Sequence, residues 1–273
     1  MAQPLISIIT VVYNGQELLA ETLQSAISQT YKQIELVIVD GGSKDNTVGI
    51  AQQFAAYTGT LISEKDAGIY DAMNKGIKAA KGEWVYFLNA GDAFYDQEVL
   101  AGIFGTDRSA VDLIYGKVQT VNEPTGINYI TGAPVSLPDF YKRFPVCHQG
   151  TFTRKSAFEQ LGNYDLRYKM VADHQWFVRF FKARPERAVF CDTIIAFYDI
   201  QGSSYYKRMQ SQQELLHYGR ELFPLSAWLV NYLMYPVVYL KVWIIRRFQQ
   251  TSWFKAYRKR KFQSNKLQQQ LPV

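Results

Sequence analysis

Apolar and polar positions alternate in blocks along the first ninety residues. Residues 5–12 are a largely apolar run rich in β-branched side chains, and the run stops at Tyr13-Asn14-Gly15. Short runs of this kind, closed by turn residues, read as buried strands. Leu18, Leu19, Leu23, Ala26 and Ile27 then recur at helical spacing, which predicts a helix over residues 16–29. A second apolar run, 34–39, closes on Asp40-Gly41-Gly42-Ser43. Ser43 or Asp45 suits the cap of a following helix that carries Val48, Ala51, Phe54 and Ala55. Residues 60–64 read as a third strand. Ile69, Ala72, Met73, Gly76, Ile77 and Ala80 form the stripe of a helix over 69–80, with Gly82 suited to its stop. Residues 84–88, Trp-Val-Tyr-Phe-Leu, predict a fourth strand that breaks off at Asn89-Ala90-Gly91-Asp92. Strands alternating with helices predict an α/β fold, a parallel sheet with helices on both faces.

The polar residues follow that framework. Asn14, Asp40, Glu64, Asp66, Asn89 and Asp92 all fall at or just after expected strand C-termini, along one rim of the sheet. Open α/β sheets bind ligands at that rim. A carboxylate there, such as Asp92, can hold a hard divalent cation against phosphate oxygens, although Gly-Asp is also ordinary turn chemistry. No Gly-x-Gly-x-x-Gly follows the first strand, and no Walker-type Gly-x-x-x-x-Gly-Lys-Ser/Thr occurs. A nucleoside diphosphate on this rim would be held through a metal rather than a glycine loop, with Asp40 placed for a ribose hydroxyl or a base edge.

The second half predicts a helix over 155–161, a turn at 162–165, a helix opening at Asp173-His-Gln-Trp176, and a strand over 189–198. Asp173 at a helix start reads as an N-cap or as an ionised carboxylate with a chemical task, and the two are compatible. His148, followed by Gln149, reads as a structural loop residue or as a contact to acceptor or phosphate. Gly202-Ser203-Ser204 with Tyr205, Lys207 and Arg208 reads as a lid over a diphosphate or as a surface loop.

Four segments in order carry a resemblance: Ile-Ser-Ile-Ile-Thr-Val-Val-Tyr-Asn, Val-Ile-Val-Asp-Gly-Gly-Ser-Lys-Asp-Asn-Thr, Glu64-Lys-Asp-Ala-Gly-Ile-Tyr-Asp-Ala-Met-Asn-Lys-Gly, and Phe-Leu-Asn-Ala-Gly-Asp. Together the chain resembles the family 2 glycosyltransferases of GT-A fold, and within them the bacterial enzymes of exopolysaccharide, O-antigen and colanic-acid type. The likeness covers residues 5–200. It implies a GT-A, Rossmann-like, mostly parallel sheet and inverting transfer of a sugar from a nucleotide-activated donor, assisted by Mg²⁺ or Mn²⁺. It implies that the donor meets Val12, Tyr13, Asn14, Asp40 and Asp66, then Asn74 and Lys75, then Asn89, Ala90 and Gly91. Asn89-Ala90-Gly91-Asp92 stands where the family carries a metal-binding Asp-x-Asp. With Asn89 as the first member, Asp92 is left as the protein's metal ligand and the donor diphosphate as the main holder of the ion. Asp173 matches the acid that deprotonates the acceptor hydroxyl. His148, Gln149, Tyr205, Lys207 and Arg208 are assigned to acceptor or lid.

Composition adds a tail to this picture. The 273 residues carry 30 Lys and Arg against 24 Asp and Glu, a net +6. Residues 225–273 hold nine basic and no acidic side chains, leaving 21 against 24, a net −3, in residues 1–224. The boundaries expected are therefore a glycosyltransferase domain over 1–222, with a donor half (1–118) and an acceptor half (119–222), and a basic aromatic tail over 223–273. Within the tail, residues 225–245 are strongly apolar and are read as an interfacial helix pair kinked at Pro236, as a spanning helix, or as a core helix. The basic clusters beyond suit anionic lipid. Nucleic acid is not expected as a partner, because the apolar run exceeds what a phosphate-binding strip needs. Cys147 and Cys191 suggest neither a metal site nor a disulfide framework, which fits a reducing compartment. Met1-Ala-Gln-Pro leads straight into the first strand, so no secretory leader is expected.

These readings combine in a peripheral or monotopic enzyme on the cytoplasmic face of the bacterial inner membrane. Its donor would be a UDP-sugar, with a GDP-sugar as the alternative, and its acceptor a saccharide linked to polyprenyl diphosphate. Two rivals remain at this stage. A sugar nucleotidyltransferase would want a basic loop after the first strand, where Tyr13-Asn14-Gly15-Gln16 offers no Lys or Arg. A membrane-bound nucleotide-binding module without chemistry would not need both Asp92 and Asp173.

Overall fold

The computed structural model describes residues 3–122, 127–199, 208–248 and 251. The first seven elements are β1 (Ile6–Val12), α1 (Leu19–Ile27), β2 (Ile34–Asp40), α2 (Thr47–Gln53), β3 (Thr58–Ser63), α3 (Ile69–Ala79) and β4 (Trp84–Phe87). Their strands are parallel, in the order β3-β2-β1-β4. Next come β5 (Ala93–Phe94), α4 (Val99–Phe104), β6 (Leu113–Asn122), β7 (Ile127–Thr131), α5 (Leu137–Phe140), β8 (Thr151–Arg154), α6 (Lys155–Leu161), α7 (Ala172–Ala183) and β9 (Ala188–Asp199). Two C-terminal helices follow, α8 (Arg208–Leu222) and α9 (Leu225–Phe248).

The sheet is mixed rather than parallel throughout. Beyond β4 the order continues β8-β6-β9-β5, with β7 paired to β6. β8 runs antiparallel to both neighbours, and only β6 and β9 are parallel in this half. The two faces of the sheet carry separate apolar clusters. On β1, Ile6 and Ile8 enter the cluster with Leu19, Leu23, Tyr86 and Phe104, whereas Ile9 and Val11 enter the one with Met73, Ile77 and Trp176. This is the two-residue period of a strand covered on both sides.

β8 is the element that positions the site. Tyr86 of β4 pairs with Phe152 of β8 in antiparallel register. The C-terminal end of β4, which leads into Asn89–Asp92, therefore meets the start of β8, which follows His148 and Gln149. A 3₁₀ turn, His148–Gly150, enters β8, and the Tyr86 hydroxyl donates to the Gln149 carbonyl at 2.6 Å.

The kinked helix pair expected around Pro236 is not what forms. α9 runs without interruption through Pro236. Proline removes one helical N–H, the donor to the carbonyl of Tyr232. On an exposed helix that carbonyl has other donors to turn to. Twenty residues, Leu225–Ile244, are long and apolar enough to cross a membrane, and little of that stretch is buried in the protein. Its exposed side chains include Leu225, Leu229, Leu233, Val237, Leu240 and Trp243. The helix is docked at its N-terminal part: Trp228 Nε1 donates to the Leu216 carbonyl, and Asn231 Nδ2 to the Tyr141 carbonyl at 2.8 Å.

Candidate active site

Four loops at the C-terminal rim of the parallel strands build the site. The loop after β1 and the loop after β2 clamp one another. Asn14 adopts a left-handed backbone (φ 49°), which turns its N–H to the Ser43 hydroxyl at 2.7 Å while its Oδ1 accepts from the Lys44 N–H at 2.9 Å. Asp40 is fully buried and caps its own loop, accepting from the Gly42 and Ser43 N–H groups and from the Ser43 and Ser63 hydroxyls. The carboxylate expected to reach a nucleoside thus holds the loop that would do so. Asp66 stands closer to the opening. It packs over Gly41, where any Cβ would collide with Asp66 Oδ2, and Tyr13 flanks the same spot with its ring 60% exposed. Val12, the last residue of β1, is buried and aligned with Asp40.

Asn74 and Lys75 sit elsewhere. Both ends of the Asn74 amide are used on the backbone of Tyr164, at 2.9 and 3.0 Å, a clip between α3 and the loop before α7. Lys75 pairs with Glu64 (2.8 Å) and Asp71 (3.4 Å). The two residues line a shallow groove with Phe158, Glu159 and Asn163, apart from the crevice described next.

The turn Asn89-Ala90-Gly91-Asp92 closes with the Asp92 N–H on the Asn89 carbonyl, and Gly91 supplies the positive φ (98°) that the turn needs. The Thr22 hydroxyl ties it to α1 by donating to the Asp92 carbonyl at 2.9 Å. Asp92 is 6% exposed. Asn89 Nδ2 lies 3.2 Å from His148 Nε2, and His148 Nδ1 lies 2.9 Å from Asp173 Oδ2. With Nε2 accepting from the amide, Nδ1 carries the proton and donates to the carboxylate. The Tyr70 hydroxyl donates to Asp173 Oδ1 at 2.7 Å, and the His174 N–H reaches the same oxygen at 2.8 Å.

Asp173 is the second residue of α7, and Val171 takes the cap position. Its carboxylate is spent on His148 and Tyr70 rather than on capping the helix. Burial alone would raise its pKa. His148, chiefly by its hydrogen bond, then Tyr70 and the His174 N–H outweigh burial and hold the group below the ordinary aspartate value. Asp173 is therefore ionised at neutral pH. Asp92 and Asp173 also act on the same neighbours. Burial pushes the Cys147 thiol up to about 12, and both carboxylates add to the effect. Burial likewise raises the Tyr198 phenol, with Cys147, Asp92 and Asp173 contributing. Though 81 positions apart in the numbering, both acids bear on the same two groups, and Asp173 itself lines the crevice.

That crevice opens into a cavity of about 550 Å³ whose lining includes Asp173, His148, Gln149, Tyr70, Tyr198 and Asn231. Tyr205 and Lys207 lie outside the described residues, and Arg208 enters only as the first residue of α8. Sequence reasoning missed Tyr70, which sits inside the helical stripe of α3 and carries no mark of its task until Asp173 is seen beside it.

The turn was tested as a home for a divalent cation. Among the described residues no group of three or more His, Cys, Asp or Glu is arranged to hold a metal. Asn89 Oδ1, however, is a buried oxygen with no hydrogen-bond partner, in the same turn as the Asp92 carboxylate. Two hard oxygen donors fit Mg²⁺ or Mn²⁺ provided that a ligand's phosphates complete the coordination.

Comparison with known proteins bears on this geometry. A profile of the family described as Glycosyl transferase family 2 matches residues 7–183. A PGL/p-HBAD biosynthesis glycosyltransferase of Mycobacterium tuberculosis (strain ATCC 25177 / H37Ra) is 38% identical over 186 residues, 66% of this chain and 71% of that protein. Among solved structures, S. aureus TarS 1-349 in complex with UDP aligns with a TM-score of 0.59 at 20% identity, covering 78% of this chain and 65% of that one. The mannosyltransferase PcManGT from Pyrobaculum calidifontis, in complex with GDP-Man and Mn²⁺, aligns with a TM-score of 0.59 at 19% identity, covering 82% and 66%. At such identities these two show the fold, a GT-A-like sheet flanked by helices.

Proposed function

The chain belongs to glycosyltransferase family 2, and from that premise we propose that it is an inverting enzyme moving a sugar from a nucleoside-diphosphate donor to a saccharide on a polyprenyl diphosphate. The observation that carries the reading is the hydrogen-bonded line Asn89–His148–Asp173, which joins a would-be phosphate turn to an ionised carboxylate. In the reaction the acceptor oxygen bonds to the anomeric carbon, the bond from that carbon to the diphosphate oxygen breaks, and the acceptor proton passes to the Asp173 carboxylate. His148 and Tyr70 fix both oxygens of that carboxylate, so it meets the hydroxyl in one orientation. Tyr13 and Asp66 are assigned to the nucleoside, with Val12, Asn14 and Asp40 shaping the loops beneath. Asp92, with Asn89 Oδ1, would hold Mg²⁺ or Mn²⁺, which when bound neutralises charge on the departing diphosphate. Ala90 and Gly91 let the backbone approach it.

UDP is the favoured nucleotide, with GDP the alternative; the mycobacterial relative and the two solved structures are consistent with a nucleotide-sugar donor. Residues 1–222 are assigned to catalysis, donor half before acceptor half at residue 118. Residues 223–273 are assigned to peripheral attachment at the cytoplasmic face of a bacterial inner membrane. The exposed apolar side chains of α9 and the nine basic residues from 225 onward support that assignment. The test is incubation with UDP- and GDP-sugars and Mn²⁺. Release of the nucleoside diphosphate, lost in Asp173→Asn, is expected. Pyrophosphate from a nucleoside triphosphate would instead indicate nucleotidyl transfer, and no product from any nucleotide would leave only binding.

A further inference from the structure

We propose that the cavity beside Asp173 contains an anion subsite, walled by Lys142, Arg143 and Lys169, which takes the phosphate groups of the acceptor while the acceptor's apolar chain leaves toward α9. The proposal rests on the glycosyl-transfer reading and adds to it the place where the acceptor's charge is held. Three cations line the cavity, and Asp173 is the one carboxylate among its lining residues. Lys142 and Lys169 pair with no carboxylate among the described residues, and Arg143 pairs with Asp139 at 3.3 Å. Cations gathered on one concave wall focus a positive field on whatever enters.

The wall is built rather than incidental. The Lys142 and Arg143 N–H groups both donate to the Asp139 carbonyl at 3.1 Å. The Arg143 carbonyl accepts from Nε2 of His174 at 3.0 Å, and the other nitrogen of that imidazole accepts from the Tyr218 hydroxyl of α8. Burial lowers the His174 pKa to about 4, so the ring stays neutral and keeps this donor–acceptor arrangement. Two residues earlier in the same segment, the Tyr141 carbonyl accepts from Asn231 of α9. The cationic turn is thus pinned on one side by the residue after Asp173 and on the other by the apolar helix. Lys169 closes the opposite side, its ammonium 3.2 Å from the Ala67 carbonyl. An acceptor with phosphates on this wall has its sugar near Asp173 and its hydrocarbon next to the exposed face of α9.

The experiment is equilibrium binding to the full chain of farnesyl diphosphate and of farnesol, each with and without saturating UDP and Mn²⁺. The diphosphate is expected to bind roughly tenfold more tightly than the alcohol, whether or not UDP is present, a difference that shrinks as salt rises. Lys142→Gln with Lys169→Gln should abolish the difference, and Lys142→Arg with Lys169→Arg should keep it. Equal affinity for the two probes, a preference that survives in the Gln pair, or displacement of farnesyl diphosphate by UDP with Mn²⁺ would each overturn the proposal; the last would assign the cations to the donor. Cosedimentation with phosphatidylglycerol vesicles separates a plain headgroup contact: the Gln pair should bind them as the parent does, and loss of vesicle binding there would overturn the assignment. None of these arms depends on turnover, so they can fail while nucleoside diphosphate release succeeds.

Discussion

Replacing Tyr70 by Phe removes a single oxygen, the one that donates to Asp173 Oδ1 at 2.7 Å. The ring is buried and packs on Tyr164 with centroids 5.4 Å apart, so Phe can keep the packing. Oδ1 retains the His174 N–H, and Oδ2 retains His148. The substitution therefore takes away one of three donors that hold the carboxylate below its ordinary pKa. A hydrogen bond to a charged group contributes about 1.5–3 kcal/mol, so losing this one should let the pKa rise. The side chain of Asp173 is 19% exposed, so solvent screening favours the lower end. The proposed base works ionised, so the acidic limb of the kcat/KM profile for the parent lies below the usual aspartate range and should move upward in Tyr70→Phe. Stability follows the same sign. A depressed carboxylate stabilises the fold above the unfolded-state pKa, and that contribution is lost as pH falls through the folded value. Tyr70→Phe should reduce it by about 1–2 kcal/mol at pH 7, with the difference from the parent fading in acid. The assay is kcat/KM against pH at saturating donor, alongside urea melts at pH 7 and at low pH. An acidic limb that stays in place or moves down would refute the reasoning.

Asp173→Asn should lower turnover by about 10²–10⁴ while a UDP-induced thermal shift persists; full turnover would remove Asp173 from the mechanism. Asp92→Asn should erase the extra stabilisation that Mn²⁺ gives in the presence of UDP, and an undiminished Mn²⁺ response in calorimetry would exclude Asp92 as a ligand. Gly41→Ala forces its Cβ into Asp66, so UDP affinity should fall roughly tenfold, the scale of an overpacked contact; unchanged affinity would separate Asp66 from the nucleoside. Asn74→Ala breaks both bonds to Tyr164 and should cost about 1–3 kcal/mol of stability with the donor KM unaltered; a raised KM at full stability would return Asn74 to the donor site. Leu233→Glu with Leu240→Glu, both on the exposed side of α9, should abolish cosedimentation with anionic vesicles, and persistent binding would place the membrane contact elsewhere.

Residues 1–118 were legible because their strands announce themselves. β1, β2 and β4 are covered on both faces, so they appear as largely apolar runs, and each ends on turn chemistry. The later residues were less so. β8 is four residues, Thr-Phe-Thr-Arg, too short for a period to show, and its antiparallel insertion between β4 and β6 is a long-range pairing that no local pattern encodes. The rim residues illustrate the same limit. Asn89 and Asp173 were singled out by position and likeness, yet their link through His148 arises from the antiparallel entry of β8. Asp40 and Asn74 carried the right polarity in the right stretch, and the structure gives both to loop and clip building, since side chains with local backbone partners satisfy those first. Pro236 misled because a proline's lost hydrogen bond is tolerable where the helix faces outward.

The line from Asn89 through His148 to Asp173 has a consequence for anyone trying to reshape this protein. A change at position 89 will be felt at position 173, and the reverse, because the imidazole between them answers to both. Effects of paired substitutions at the two ends should depart from the sum of the single ones, a cooperativity that a double-mutant cycle reads directly. Substitutions at the two ends are then expected to accumulate in step rather than by independent trial.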